Sequence, residues 1–146
     1  MQAQMLAPAA VLVAWSLIML IWTAATRFPA MSKATGGGFK DAKRGGRGQD
    51  LEGVLPDKVN WKAHNYAHLM EQPTLFYAVV VILAILAPSP LAVLLAWIYV
   101  GLRIVHSVWQ AMVNIVSVRF LLFLAYTIAL IALSIMALIA TLGASA

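Results

Sequence analysis

Four long apolar stretches, residues 5–26, 60–87, 91–116 and 118–142, take up most of this 146-residue chain. That is more apolar surface than a soluble core of this size can bury. A helix rises about 1.5 Å per residue and the hydrocarbon core of a bilayer is about 30 Å thick, so roughly 20 residues make one crossing. Four crossings fit, and little is left for a soluble domain. The chain is 63% hydrophobic and 10% charged, with a mean hydropathy of +0.89, where soluble domains carry about 25% charged residues. The expected fold is an all-α integral membrane protein, a four-transmembrane-helix bundle that contacts the lipid bilayer directly. No Lys or Arg precedes the first stretch, and it is longer than the apolar region of a cleavable leader, so it reads as an anchor.

The charges are distributed unevenly. Between residues 27 and 62 lie Arg27, Lys33, Lys40, Lys43, Arg44, Arg47, Lys58 and Lys62 against Asp41, Asp50, Glu52 and Asp57. Both chain ends and the Pro88-Ser89-Pro90 turn carry no charged side chain. By the positive-inside rule the segment 27–59 is expected in the cytoplasm, with the termini and the proline turn periplasmic in a bacterial inner membrane. Glycines cluster between Gly36 and Gly53, but none is followed by Lys-Ser or Lys-Thr at P-loop spacing. The segment is therefore read as a flexible basic linker that touches anionic lipid. Its cations lack the interleaved aromatics of a nucleic-acid surface, so no nucleic acid is expected as a partner. With no cysteine in the chain, any thiol chemistry must come from a bound thiol.

Polar residues intrude into the second and third stretches at matched depth. Residues 74–87 are apolar but are preceded by His64, Asn65, His68, Glu71, Gln72 and Pro73; residues 91–102 are apolar but are followed by Arg103, His106, Ser107, Gln110 and Asn114. A hairpin at Pro88-Ser89-Pro90 brings the two sets to one level. On the second stretch His64, His68 and Glu71 share a face at helical spacing, and on the third Arg103, His106, Gln110 and Asn114 do the same. Glu71 and Arg103 both lie roughly 16 to 20 Å in from the cytoplasmic ends at the helical rise, so an ion pair between them is expected. An unpaired charge there would cost several kcal/mol. Such a pair serves equally as a clamp between helices or as part of a ligand site. The number of polar groups, well beyond what a clamp needs, favours a membrane-embedded site for a polar ligand. His64, His68, Glu71 and His106 could also be read as metal ligands, but there is no His-Glu-x-x-His pattern and Arg103 would repel a cation, so no metal is expected.

These residues carry a family resemblance. Asn65-Tyr66-Ala67-His68-Leu69-Met70-Glu71-Gln72-Pro73, then Val100-Gly101-Leu102-Arg103-Ile104-Val105-His106-Ser107, and Arg119 after the third connection resemble the MAPEG family, the membrane-associated proteins in eicosanoid and glutathione metabolism. The resemblance implies a homotrimer of four-helix subunits with glutathione as co-substrate, bound between subunits in the cytoplasmic leaflet. It implies that Arg119 is the catalytic arginine beside the glutathione thiolate, where a guanidinium lowers a thiol's pKa. It places Glu71, Arg103 and His106 in or beside the polar cavity, with His68 and Gln110 in that cavity's wall and Arg27 as a further anion-binding residue. The chain also departs from the catalytic members. His68 stands where they have asparagine, His64 where they have arginine, and Gln110 where they have tyrosine.

Three functions are compatible with this sequence. One is a glutathione-dependent transferase or peroxidase acting on lipophilic electrophiles. A second is a non-catalytic membrane protein or an accessory subunit of a larger membrane complex. A third is a protein that binds a lipid or quinone headgroup.

Overall fold

A computed structural model describes residues 1–35 and 44–144, and within them every regular element is helical. The glycines and charges at residues 36–43 lie outside the described residues. α1 spans Gln2–Thr35, α2 Asp57–Leu69, α3 Pro73–Leu86, α4 Pro90–Met112 and α5 Val116–Gly143, with a short 3-10 turn at Gly48–Leu51 before α2. α1, α2 with α3, α4 and α5 form four segments long and apolar enough to cross a membrane. Aliphatic side chains such as Leu75, Ile85, Ile128 and Ile139 are exposed on the outside of the bundle, as a lipid solvent requires.

The helix boundaries follow from local chemistry. Pro73 opens α3 at a first-turn position, where its missing N–H costs nothing, while its ring excludes a regular helix through the preceding residues. The second crossing therefore breaks at Met70–Gln72, and the break is tight: Met70 N–H donates to Ala67 O at 2.9 Å and Thr74 N–H to Glu71 O at 3.1 Å. At the opposite end, Ser89 caps α4 by accepting from the Ala92 N–H at 3.2 Å, and Pro90 fills the first helical position. α1 continues beyond Thr26 to Thr35, and the 3-10 turn is tied down against the bundle. Arg27 donates to Gly48 O, and the buried Asn60 donates to Leu51 O at 3.2 Å and to Leu55 O at 3.3 Å.

Phe76, Tyr99 and Tyr126, all buried, form the centre of the bundle. The Phe76 and Tyr99 rings stack at 4.2 Å and Tyr126 meets Tyr99 edge-on at 5.5 Å. Several polar groups inside the bundle find partners on other helices, which relieves the cost of burying them in hydrocarbon. Tyr99 Oη donates to Gln72 Oε1 at 3.2 Å, and Gln72 Nε2 donates to Thr127 Oγ1 at 2.9 Å, linking α4, the break before α3, and α5. Trp15 Nε1 donates to Ser107 Oγ at 3.0 Å, fastening α1 to α4. The same aromatic column leads to the polar cavity, because Tyr126 also meets His106 and Phe123 edge-on, at 5.6 and 5.5 Å.

Candidate functional site

The connection from α4 to α5 is only three residues long, so the last turns of α4 lie against the first turns of α5. Between them, and closed on one side by the last turn of α2, is a cavity of about 220 Å³. His68, His106, Gln110 and Arg119 supply its polar wall, and Phe120 and Phe123 face them. The stripe on the third crossing places His106 and Gln110 at this cavity, and Arg119 comes from the next helix.

Arg103 sits immediately behind this wall and is fully buried, at 0% exposure. It donates to His106 Nδ1 at 2.7 Å and to His68 Nδ1 at 3.0 Å. A guanidinium has no acceptor, so both Nδ1 atoms must be the acceptors, and each ring is then neutral with its proton on Nε2. The arginine therefore fixes two tautomers at once and leaves the Nε2–H groups as donors. The two rings lie 5.1 Å apart, and the guanidinium rests over the Tyr126 ring at 5.4 Å.

The Glu71–Arg103 ion pair expected from sequence does not form. The Glu71 side chain is 67% exposed and lies 3.7 Å from His68 Nε2, whose ring is neutral. The reason lies in the break before α3. There Met70 N–H bonds to Ala67 O and Glu71 N–H to His68 O, i→i+3 bonds that change the angular step from that of the α-helix. His64 also leaves the stripe's site, pairing with Glu52 beside the 3-10 turn. Arg27 lines a separate cavity of about 590 Å³ with Arg47, Glu52, His64 and Tyr66. Within one chain, then, His68, His106, Gln110 and Arg119 are brought together with Arg103 behind them; Glu71 lies at the exposed edge beside His68 and does not line the cavity, and Arg27 lines a different one.

Among the described residues, neither Arg103 nor Arg119 has a carboxylate within salt-bridge distance. Arg103 Nε, Gln110 Oε1 and Tyr126 Oη are buried without a hydrogen-bond partner. Arg119 and the two imidazole Nε2–H groups, with the Arg103 guanidinium behind them, make this side of the cavity cationic and rich in donors, and the exposed Glu71 carboxylate lies 3.7 Å from His68 Nε2. Sequence reasoning missed Phe120 and Phe123, although their spacing from Arg119, one and four residues on, places all three along one side of a helix.

A model of the MAPEG family matches residues 5–139. That is nearly the whole chain, and the chain belongs to the MAPEG family. Comparison with curated proteins and with solved structures returned no match.

Proposed function

We propose that this membrane protein uses the cavity between α2, α4 and α5 to bind glutathione and join it through its sulfur to lipophilic electrophiles. The observation that carries the reading is Arg119 in the cavity wall with the buried Arg103 guanidinium behind it, neither within salt-bridge distance of a carboxylate among the described residues. Glutathione is an anion with a thiol, and its thiolate gains most from such a site. Phe120 and Phe123 give the same cavity an apolar side, suited to a substrate arriving from the bilayer.

In this reading Arg119 faces the sulfur and stabilises the thiolate after its proton is lost to water. The sulfur lone pair attacks an electrophilic carbon, a carbon–sulfur bond forms, and the leaving group departs with its electron pair. With a lipid hydroperoxide the sulfur instead attacks the distal oxygen and the alkoxide leaves to be protonated. A second glutathione then displaces hydroxide from the sulfenic acid, giving glutathione disulfide and water. His68 and His106 donate from Nε2, and Arg103 holds their tautomers.

Sites that enclose drug-sized ligands run to about 300–1,000 Å³, so the space of about 220 Å³ in one chain holds only part of a tripeptide. The rest is supplied by a second copy in a homotrimer, which also covers the exposed carboxylate of Glu71. The basic segment and this cavity face the cytoplasm, and no metal takes part. Turnover of glutathione with a chloro-dinitrobenzene electrophile and with a fatty-acid hydroperoxide tests the proposal. Product formation that falls at least about a hundredfold in Arg119→Ala, the scale of losing one charge-stabilising donor, supports it. Equal turnover in the variant would refute it.

A further inference from the structure

The connection between α4 and α5 contains a backbone conformation that L-residues rarely adopt. Asn114 has φ +60°, the only positive φ at a non-glycine among the described residues. The turn requires it. The N–H groups of Val113 and Asn114 both donate to Trp109 O, at 2.9 and 2.8 Å, which closes α4. Ile115 then returns to extended backbone, and its carbonyl accepts from the Arg119 N–H at 3.1 Å to open α5. Glycine is the residue best suited to such a cap, with asparagine next. What asparagine adds here is its side chain: Oδ1 accepts a hydrogen bond from the guanidinium of Arg119.

We infer that Asn114 is a positioning residue that holds the Arg119 guanidinium at the cavity beside His106 and Gln110, so that the cation is already in place when an anionic sulfur arrives. The inference rests on the glutathione reading above. The acceptor is neutral, so it fixes the guanidinium without cancelling its charge, which a carboxylate at the same position would do. A long side chain tied at its tip also loses less freedom when ligand binds, and preorganised donors stabilise charge more than mobile ones. The left-handed backbone makes the arrangement compact. The residue that ends one helix also orients the arginine in the first turn of the next.

The test uses the full-length protein in detergent with glutathione. The pH dependence of the bound thiol's ultraviolet thiolate absorbance and the melting temperature are read for wild type, Asn114→Gly, Asn114→Ala and Arg119→Ala. Glycine accepts the left-handed backbone, so Asn114→Gly keeps the wild-type melting temperature. Its thiolate midpoint moves to higher pH by about one unit, a tenfold smaller thiolate fraction below the midpoint. Asn114→Ala shows the same midpoint shift together with a lower melting temperature, because alanine is strained at this φ. A midpoint shift confined to Asn114→Ala, following the melting temperature, would overturn the inference by reducing Asn114 to a turn residue. So would a wild-type midpoint in Asn114→Gly alongside a raised one in Arg119→Ala, and in that case the glutathione reading survives. Unchanged binding and midpoint in Arg119→Ala would sink the glutathione reading and this inference with it.

Discussion

In Arg103→Met a side chain of similar length loses its charge and its two hydrogen bonds, and the balance of what is lost separates a helix clamp from a ligand site. The two bonds, to His106 Nδ1 at 2.7 Å and His68 Nδ1 at 3.0 Å, are charge-assisted and contribute about 1.5–3 kcal/mol each. Opposing them is the cost of keeping a fully buried cation out of water, several kcal/mol even after relaxation. Among the described residues no carboxylate lies within salt-bridge distance of Arg103 to offset that cost. The ligand-free variant is therefore expected to lie within about 2 kcal/mol of wild type in stability, since the two terms largely cancel. Binding has no such compensation. An anion that loses one buried charged partner is weakened by about 2–5 kcal/mol, or roughly thirtyfold to several-thousandfold in Kd. The assay is unfolding in detergent with and without glutathione at a hundred times the wild-type Kd. Wild type gains about 2.7 kcal/mol from the ligand, and a variant weakened thirtyfold gains under about 1 kcal/mol. A variant that lost several kcal/mol without ligand, yet still gained the wild-type increment with it, would show Arg103 to be a structural clamp and refute the reasoning.

Two further outcomes are expected. Ser107→Ala removes the acceptor of the Trp15 indole at 3.0 Å and lowers stability by about 0.6–1.7 kcal/mol, the range for hydrogen bonds between membrane helices; unfolding titration in detergent reads it, and an unchanged midpoint would mean that the indole finds another acceptor. Because the chain has no cysteine, Ser89→Cys and Gln49→Cys report topology directly. In intact cells a membrane-impermeant thiol reagent is expected to label only the cysteine at position 89, and labelling only at position 49 would reverse the orientation.

The four crossings were legible because hydropathy over some twenty residues averages out local detail. The α3–α4 hairpin was legible for a different reason: Pro88, Ser89 and Pro90 encode a stop, a cap and a start in three residues. That Arg103, His106 and Gln110 share one face was legible from helical spacing because they lie within one uninterrupted helix. Glu71 was misplaced by the same rule, because the break before Pro73 changes the angular step and spacing no longer reports direction. Arg119 was identified by resemblance alone. Nothing in its own neighbourhood signals a cavity until α4 ends at Met112 and the left-handed turn at Asn114 folds α5 back. The tautomers of His68 and His106 could not be read from sequence either, since they depend on a guanidinium that comes between rings from two different helices.

Titration of glutathione into the purified protein by calorimetry, with Arg119→Ala alongside, tests the central claim most directly. Saturable binding to wild type, weakened at least about tenfold by the substitution, is the predicted result and corresponds to about 1.4 kcal/mol from one cation at the thiolate. No binding heat at millimolar glutathione, or an isotherm that Arg119→Ala leaves unchanged, would contradict the account and leave the paired guanidinium groups to a different anion.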